Sequence, residues 1–277
     1  MPVAPFWAAF WAALRAAVRL PLFLLANVVL IPVYALCLGP ARGLRRPIQV
    51  LWCRIMLALA GVQVRAFGTP HAGGPTLWVA NHVSYLDIAV LSRRLPGVFV
   101  AKSEVANWPL FGIIARLTGT IFVSRQPARA RVQRETIRHH LAAGGNLLLF
   151  PEGTSTDGSA VAPFKSSLLD IASAGGTGPA VTVQPISLAY TRDRAGVPLT
   201  GPRRGIYCWY GDMTLAPHLI RMLGHPGATV EVRFHPPVDA EAFSSRKALA
   251  RHCEAEVAAG IAAAHDDLIA RGKQAAE

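Results

Sequence analysis

Asn81, His82, Ser84 and Asp87 stand just past an apolar run, Thr76-Leu77-Trp78-Val79-Ala80. A His followed by a carboxylate five positions on is a candidate base with its orienting partner. On a regular helix that separation is about 140° around the axis, so the two side chains would not share a face. The pair works only if His82 precedes a helix and its ring turns back. Asp87 would then fix the imidazole tautomer and leave the other ring nitrogen free to take a proton from a hydroxyl. No G-x-S-x-G elbow occurs in the chain, so no Ser nucleophile is presented by that route. Ser84 reads instead as a capping hydroxyl at the helix start. What remains is direct transfer, with His82 as general base on an acceptor hydroxyl.

A second polar cluster, Pro151-Glu152-Gly153-Thr154-Ser155, ends a second apolar run, Leu147 to Phe150. A Glu between Pro and Gly at a strand terminus sits in a sharp turn with its side chain projected. It is a candidate to bind a substrate hydroxyl or to pair with Arg125. Thr154 and the Gly153 amide are candidate donors to a phosphate or a developing oxyanion. Arg125 closes the stretch Gly119 to Arg125, where an Arg at the end of a buried strand can hold a phosphate by a bidentate fork. A plain surface Arg fits that position about equally well. Lys102, after Val98–Ala101, is a further candidate phosphate ligand. If both elbows serve one site, His82 must lie within about 10 Å of Glu152.

The elements that must position these groups follow from periodicity. Strands are expected at Leu77–Ala80, Val98–Ala101, Thr120–Val123, Asn146–Phe150, Val181–Leu188 and Thr229–Phe234. Helices are expected at Ile88–Arg93, Ala128–Ala143, Phe164–Ala174 and Ala240–Arg271. Strands alternating with helices imply an α/β domain, a mixed and largely buried sheet flanked by helices. Gly175-Gly176-Thr177-Gly178 reads as a linker rather than a phosphate loop.

Ahead of this lies a different kind of sequence. The first acidic residue of the chain is Asp87, and residues 1–64 are apolar and basic. Residues 1–19 carry Phe6, Trp7, Phe10 and Trp11 beside Arg15 and Arg19, an interfacial pattern. Leu20 to Gly39 is uncharged over a length that matches a bilayer core and exceeds a signal h-region. A second apolar helix is expected from Pro47 to about Val64. Two full spans would place Arg42, Arg45 and Arg46 across the membrane from a cytoplasmic domain, against the positive-inside tendency, and Arg54 opposes deep insertion. A single span, or a helical pair lying in one leaflet, avoids that conflict. The division is residues 1–64 as membrane-anchoring helices and 65–277 as the catalytic domain.

Bulk composition agrees. Hydrophobic residues are 52%, charged residues 16%, mean hydropathy is +0.34 and net charge is +12. That favours a membrane-associated protein with anionic partners. Nucleic acid is excluded as a partner, because no basic run is interleaved with aromatics. Cys37, Cys53, Cys208 and Cys253 show no C-x-x-C spacing and read as buried free thiols. His218, His225 and His235 neighbour prolines in expected loops without zinc-ligand spacing, so no metal site is expected.

Taken together these blocks resemble the glycerolipid acyltransferase family, which includes the 1-acyl-glycerol-3-phosphate acyltransferases. N-H-x-S-x-x-D is matched by Asn81, His82, Ser84 and Asp87. G-x-x-F-[IV]-x-R is matched by Gly119, Phe122, Val123 and Arg125. F-P-E-G-T-x-S is matched by Phe150 to Thr154, with Ser155 and Thr156 offering the hydroxyl in shifted order, and apolar-x-Pro-apolar by Val183-Gln184-Pro185-Ile186. The resemblance covers roughly residues 65–240.

The resemblance implies an O-acyltransferase that makes phosphatidic acid from lysophosphatidic acid, with lyso-ornithine lipid as the alternative acceptor. His82 would deprotonate the lysolipid hydroxyl and Asp87 would orient it. Lys102, Arg125, Glu152, Gly153 and Thr154 would bind substrate. The donor would be acyl-CoA or an acidic acyl carrier protein as co-substrate, with no resident cofactor and no metal. The enzyme would sit on the inner, anionic membrane with its catalytic domain facing the cytoplasm. Ser124 stands where many members carry Asp, and Trp209-Tyr210-Gly211-Asp212-Met213 looks like the lyso-ornithine subgroup.

Overall fold

The computed structural model describes residues 4–39, 41–108, 110–124, 127–170, 172 and 181–274. Arg125 and the Gly175–Gly178 run lie outside the described residues.

The strands are β1 (Gln63–Phe67), β2 (Thr76–Ala80), β3 (Val98–Lys102), β4 (Ile121–Val123), β5 (Leu147–Leu149), β6 (Thr182–Asp193), β7 (Ala228–Phe234) and β8 (Val238–Asp239). They form one sheet in the order β1-β7-β6-β2-β5-β3-β4, with β8 on β6. β6, β2, β5, β3 and β4 run parallel, β1 is parallel to β7, and β6 is antiparallel to both β7 and β8. The sheet is mixed, and its central strands β2 and β5 are buried along their whole length. That is the burial expected when helices cover both faces.

On one face Trp78, Ala80, Ile186, Leu188 and Tyr190 pack with α2 (Arg45–Leu59), α3 (Leu86–Ser92) and α6 (Leu215–Gly224). On the other, Leu77, Val79, Leu147, Leu149 and Val183 pack with α5 (Pro127–Ala142) and α7 (Arg246–Gln274). Gly260 lets α7 close onto the sheet. A Cβ there would meet the Ser187 hydroxyl and would lie 2.7 Å from His235 Nε2. All four cysteines are buried and free.

The N-terminal segment is one continuous helix, α1 (Ala4–Leu36), rather than a lead-in followed by a separate apolar stretch. Pro21 and Pro32 each remove one backbone donor, and the helix runs through both. At 33 residues α1 is about 50 Å long. It is long and apolar enough to cross a membrane. Yet it is fastened to the domain. Arg19 donates to the carbonyls of Leu223 and His225 at the end of α6, at 3.2 and 2.6 Å. Leu20 and Phe23 pack on the main core, and Leu30 packs with Trp52 and Met56 of α2. The opposite face, including Phe6, Trp7, Phe10, Trp11, Val18, Leu25 and Val28, is exposed.

Several expected boundaries move. The second helix ends at Leu59, because Gly61 turns the chain at φ +69 with the Pro226 carbonyl against it. β1 therefore begins at Gln63, inside the segment expected to be helical. The expected helix over Phe164–Ala174 is only a 3₁₀ turn at Ser166–Leu168 among the described residues. There the Phe164 N–H donates to Glu254 and the Lys165 N–H to the Pro151 carbonyl. β6 runs on to Asp193, five residues past the expected end. The helix expected from Ala240 starts at Arg246, after a turn capped by Asp239. α4 (Phe111–Leu117) and α6 were not expected. Pro217 falls in the first turn of α6, where its missing N–H costs nothing, and this places His218 on a helix rather than in a loop.

Candidate active site

β2 and β5 are parallel neighbours, so the residues that follow them leave the same edge of the sheet. His82 comes two residues after β2, and Phe150 to Gly153 follow β5 directly. β3 is next in order and ends on Lys102; β4 comes after it and ends two residues before Arg125. The strand order alone thus gathers the chemistry-bearing residues at one C-terminal edge, where open parallel sheets hold their ligands.

The turn between β2 and α3 bends the His82 ring back onto Asp87. His82 Nδ1 lies 2.9 Å from Asp87 Oδ2. The same oxygen accepts the N–H groups of Val83 and Ser84, at 2.8 and 2.9 Å. Asp87 Oδ1 accepts the Tyr190 hydroxyl at 3.0 Å. Asp87 is fully buried. With donors on both of its oxygens it acts as an acceptor throughout, so Nδ1 carries the His82 proton and Nε2 presents a lone pair. Among the described residues Nε2 has no hydrogen-bond partner, and the side chain keeps 20% exposure. Ser84 is buried, and its Oγ accepts from the Leu86 N–H at 3.3 Å, the capping role expected of it.

The second elbow holds the first. Glu152 Oε1 accepts the His82 N–H at 2.7 Å, and Oε2 accepts the Ala162 N–H at 3.2 Å. The Thr156 N–H donates to the His82 carbonyl at 2.9 Å, and the Trp209 N–H to the Val83 carbonyl at 2.8 Å. The Phe150 ring stacks on His82 at 4.1 Å between centroids. The two elbows are therefore in direct contact. Glu152 is buried, and both of its oxygens are spent on the backbone rather than held out toward a substrate hydroxyl. Burial pushes its carboxyl up to about 7, against the pull of the two amides. Its expected pairing with Arg125 lies outside the described residues.

Gly153 adopts φ +67, and its N–H donates to the Phe150 carbonyl at 3.0 Å, so the turn uses the amide expected to bind an anion. Thr154 is exposed in the same turn, and Lys102 is half-buried opposite Val123 of β4.

Two participants, Lys165 and Tyr190, were not singled out from the sequence. Lys165 lies over the elbow: a Cβ on Gly153 would come within 2.7 Å of its Nζ. Tyr190 holds Asp87 from outside any motif, and Thr156, whose hydroxyl the third block offered, holds His82 by its backbone N–H. His218 is buried in α6, 3.1 Å from the Tyr85 hydroxyl and 3.0 Å from the Cys208 carbonyl, a satisfied core histidine. The constellation can take a proton from a bound hydroxyl at His82 Nε2 and stabilise the imidazolium that results.

Residues 62–189 match the family model described as Acyltransferase. A lyso-ornithine lipid O-acyltransferase of Rhodobacter capsulatus is 40% identical over 87% of this chain and 86% of its own. A 1-acyl-sn-glycerol-3-phosphate acyltransferase of Neisseria gonorrhoeae is 30% identical over 73% of this chain and 75% of its own. The crystal structure of the 1-acyl-sn-glycerophosphate acyltransferase of Thermotoga maritima has the same fold. Its TM-score is 0.64 over 90% of this chain and 96% of that one, at 22% identity.

Proposed function

Because the chain belongs to the acyltransferase family, we propose that it transfers an acyl chain from a thioester donor to the hydroxyl of a lyso-ornithine lipid. At the coarser level it is an O-acyltransferase of lysolipids. One observation carries the acceptor: 40% identity to a lyso-ornithine lipid enzyme over most of both chains, against 30% to an enzyme of lysophosphatidate. Lysophosphatidate is the second reading. It is supported by the 30% identity to the Neisseria gonorrhoeae enzyme over 73% of this chain, while Lys165 over the Gly153 turn suits a phosphate and an ornithine carboxylate alike.

In this reading the acceptor hydroxyl gives its proton to His82 Nε2 as its oxygen attacks the thioester carbonyl carbon. The carbon–sulfur bond then breaks, and the leaving thiolate takes the proton from the imidazolium. The products are an ester and a free thiol, with no acyl-enzyme. Asp87 keeps the imidazole in the reactive tautomer and balances the imidazolium charge. Thr154, Lys102 and Arg125 are the proposed ligands of the acceptor head group. Glu152 and Gly153 act by shaping the elbow that holds His82. The net charge of +12 suits an anionic donor, coenzyme A or an acidic carrier protein.

α1 is read as lying along the membrane, with its aromatic and aliphatic face in the leaflet. It is held to α6 and α2 on the other side, so upright insertion would pull the domain in with it. The proposed surface is the cytoplasmic face of the inner membrane, where acyl thioesters are available.

The test is a competition between lyso-ornithine lipid and lysophosphatidate for one labelled acyl thioester. A higher kcat/KM for lyso-ornithine lipid supports the first reading. A preference for lysophosphatidate supports the second.

A further inference from the structure

Asp87 receives its hydrogen bonds unevenly. Oδ2 takes His82 Nδ1 and two backbone N–H groups, whereas Oδ1 takes the Tyr190 hydroxyl, its one donor among the described residues. Asp87 is 0% exposed. Tyr190 lies far from the turn in sequence, in the extension of β6 beyond Leu188, and reaches Asp87 from the sheet face that α3 covers. It is itself held by stacking on Tyr207, at 6.3 Å and 13° between planes. The Tyr207 hydroxyl in turn accepts the Gly227 N–H at 3.1 Å.

We propose that Tyr190 is a positioning residue for acyl transfer, its buried hydroxyl fixing Asp87 Oδ1 so that Oδ2 stays aimed at His82 Nδ1. The inference deepens the function proposed above and rests on His82 being the base. Without the phenol, Oδ1 is a buried acceptor with no partner, and rotation about the carboxylate bond becomes an escape from that state. With Oδ2 turned from Nδ1, the carboxylate balances an imidazolium less well. The titratable groups around Asp87 and Tyr190 are His82, Tyr85, Glu152, Tyr207 and Cys208. Of these, His82 is the one in hydrogen-bond contact with Asp87.

The experiment is Tyr190→Phe in the full chain, with the acceptor that the wild-type enzyme prefers. Thermal midpoint, kcat, KM and the pH profile of kcat/KM are measured, alone and combined with Asp87→Asn. The expected result is a kcat lower by about tenfold with both KM values within about twofold. The acid limb of the profile should move to lower pH, and no further loss should appear in the Asp87→Asn background. Two results would overturn the inference. One is a lowered thermal midpoint with kcat and the acid limb unchanged, which marks Tyr190 as packing alone. The other is the same fold loss in the Asp87→Asn background, which marks a route independent of Asp87. A His82→Ala control that keeps full activity would instead sink the proposed function, so the two failures are separable.

Discussion

Glu152 grips His82 by its backbone, with the carboxylate oxygen Oε1 2.7 Å from the His82 amide nitrogen. The residue that an elbow motif offers as a substrate ligand is here the strut between the two elbows. Replacing Glu152 by Ala takes the partner from two half-buried N–H groups, of His82 and Ala162. Each orphaned donor costs about 1–3 kcal/mol. The expected outcome is a lower thermal midpoint together with a large fall in kcat. A change confined to the acceptor KM would instead mean that Glu152 binds substrate.

The same carboxyl gives a pH signature. Its ordinary value is 4.5, and in the fold burial raises it to about 7. The fold therefore keeps a proton that the unfolded chain releases. The cost of the charged form is absent below 4.5, grows as pH rises toward 7 and is complete above it. Glu152→Gln has no such titration. The stability of the wild type relative to Glu152→Gln should fall across this window, by an amount on the order of 3 kcal/mol. Denaturant unfolding at several pH values measures it, and a flat difference would contradict the burial account.

Asp87→Asn preserves shape but offers His82 Nδ1 an amide, and so permits the wrong tautomer. By the logic of base–carboxylate pairs kcat should fall by roughly 10³- to 10⁴-fold, with a smaller change in KM. Steady-state kinetics on folded protein check this, and a loss below about tenfold would remove Asp87 from the chemistry.

The two elbows could be read from the sequence because each is a short polar block at the end of an apolar run, and the contact between them follows from β2 and β5 being parallel neighbours. What could not be read was which polar atoms each elbow spends on the other. Glu152 and the Gly153 amide look free in one dimension; the first is consumed when His82 docks from 70 residues away in sequence, the second by the Phe150 carbonyl of its own turn. Tyr190 was missed for a related reason. A tyrosine in a buried strand has the pattern of core, and only the long β6 with its pairing to β2 puts it under Asp87. The helix misjudged at Phe164 reflects tertiary bonds to Pro151 and Glu254 that overrode local propensity. β1 was announced by Gly61, whose positive φ stops α2, but that signal lay inside an apolar run.

The exposed face of α1 predicts how the enzyme meets its lipid. Changing Trp7, Phe10 and Trp11 together to Ser removes aromatic area from the leaflet without touching Arg19 or the α2 contact. At about 1.5–3 kcal/mol for each fully buried aromatic, vesicle binding should weaken by at least about 100-fold. The kcat on detergent-dispersed acceptor should stay within about twofold. Cosedimentation with anionic vesicles reads the first quantity, and unchanged binding would contradict the in-plane assignment.

The central claim is that His82 Nε2 deprotonates the acceptor hydroxyl of a lysolipid. The most direct measurement is single-turnover acyl transfer from a labelled thioester to lyso-ornithine lipid and to lysophosphatidate, wild type beside His82→Ala, each shown to be folded. The account predicts ester formation with lyso-ornithine lipid in the wild type and none detectable in the variant. Transfer by His82→Ala at the wild-type rate would contradict it.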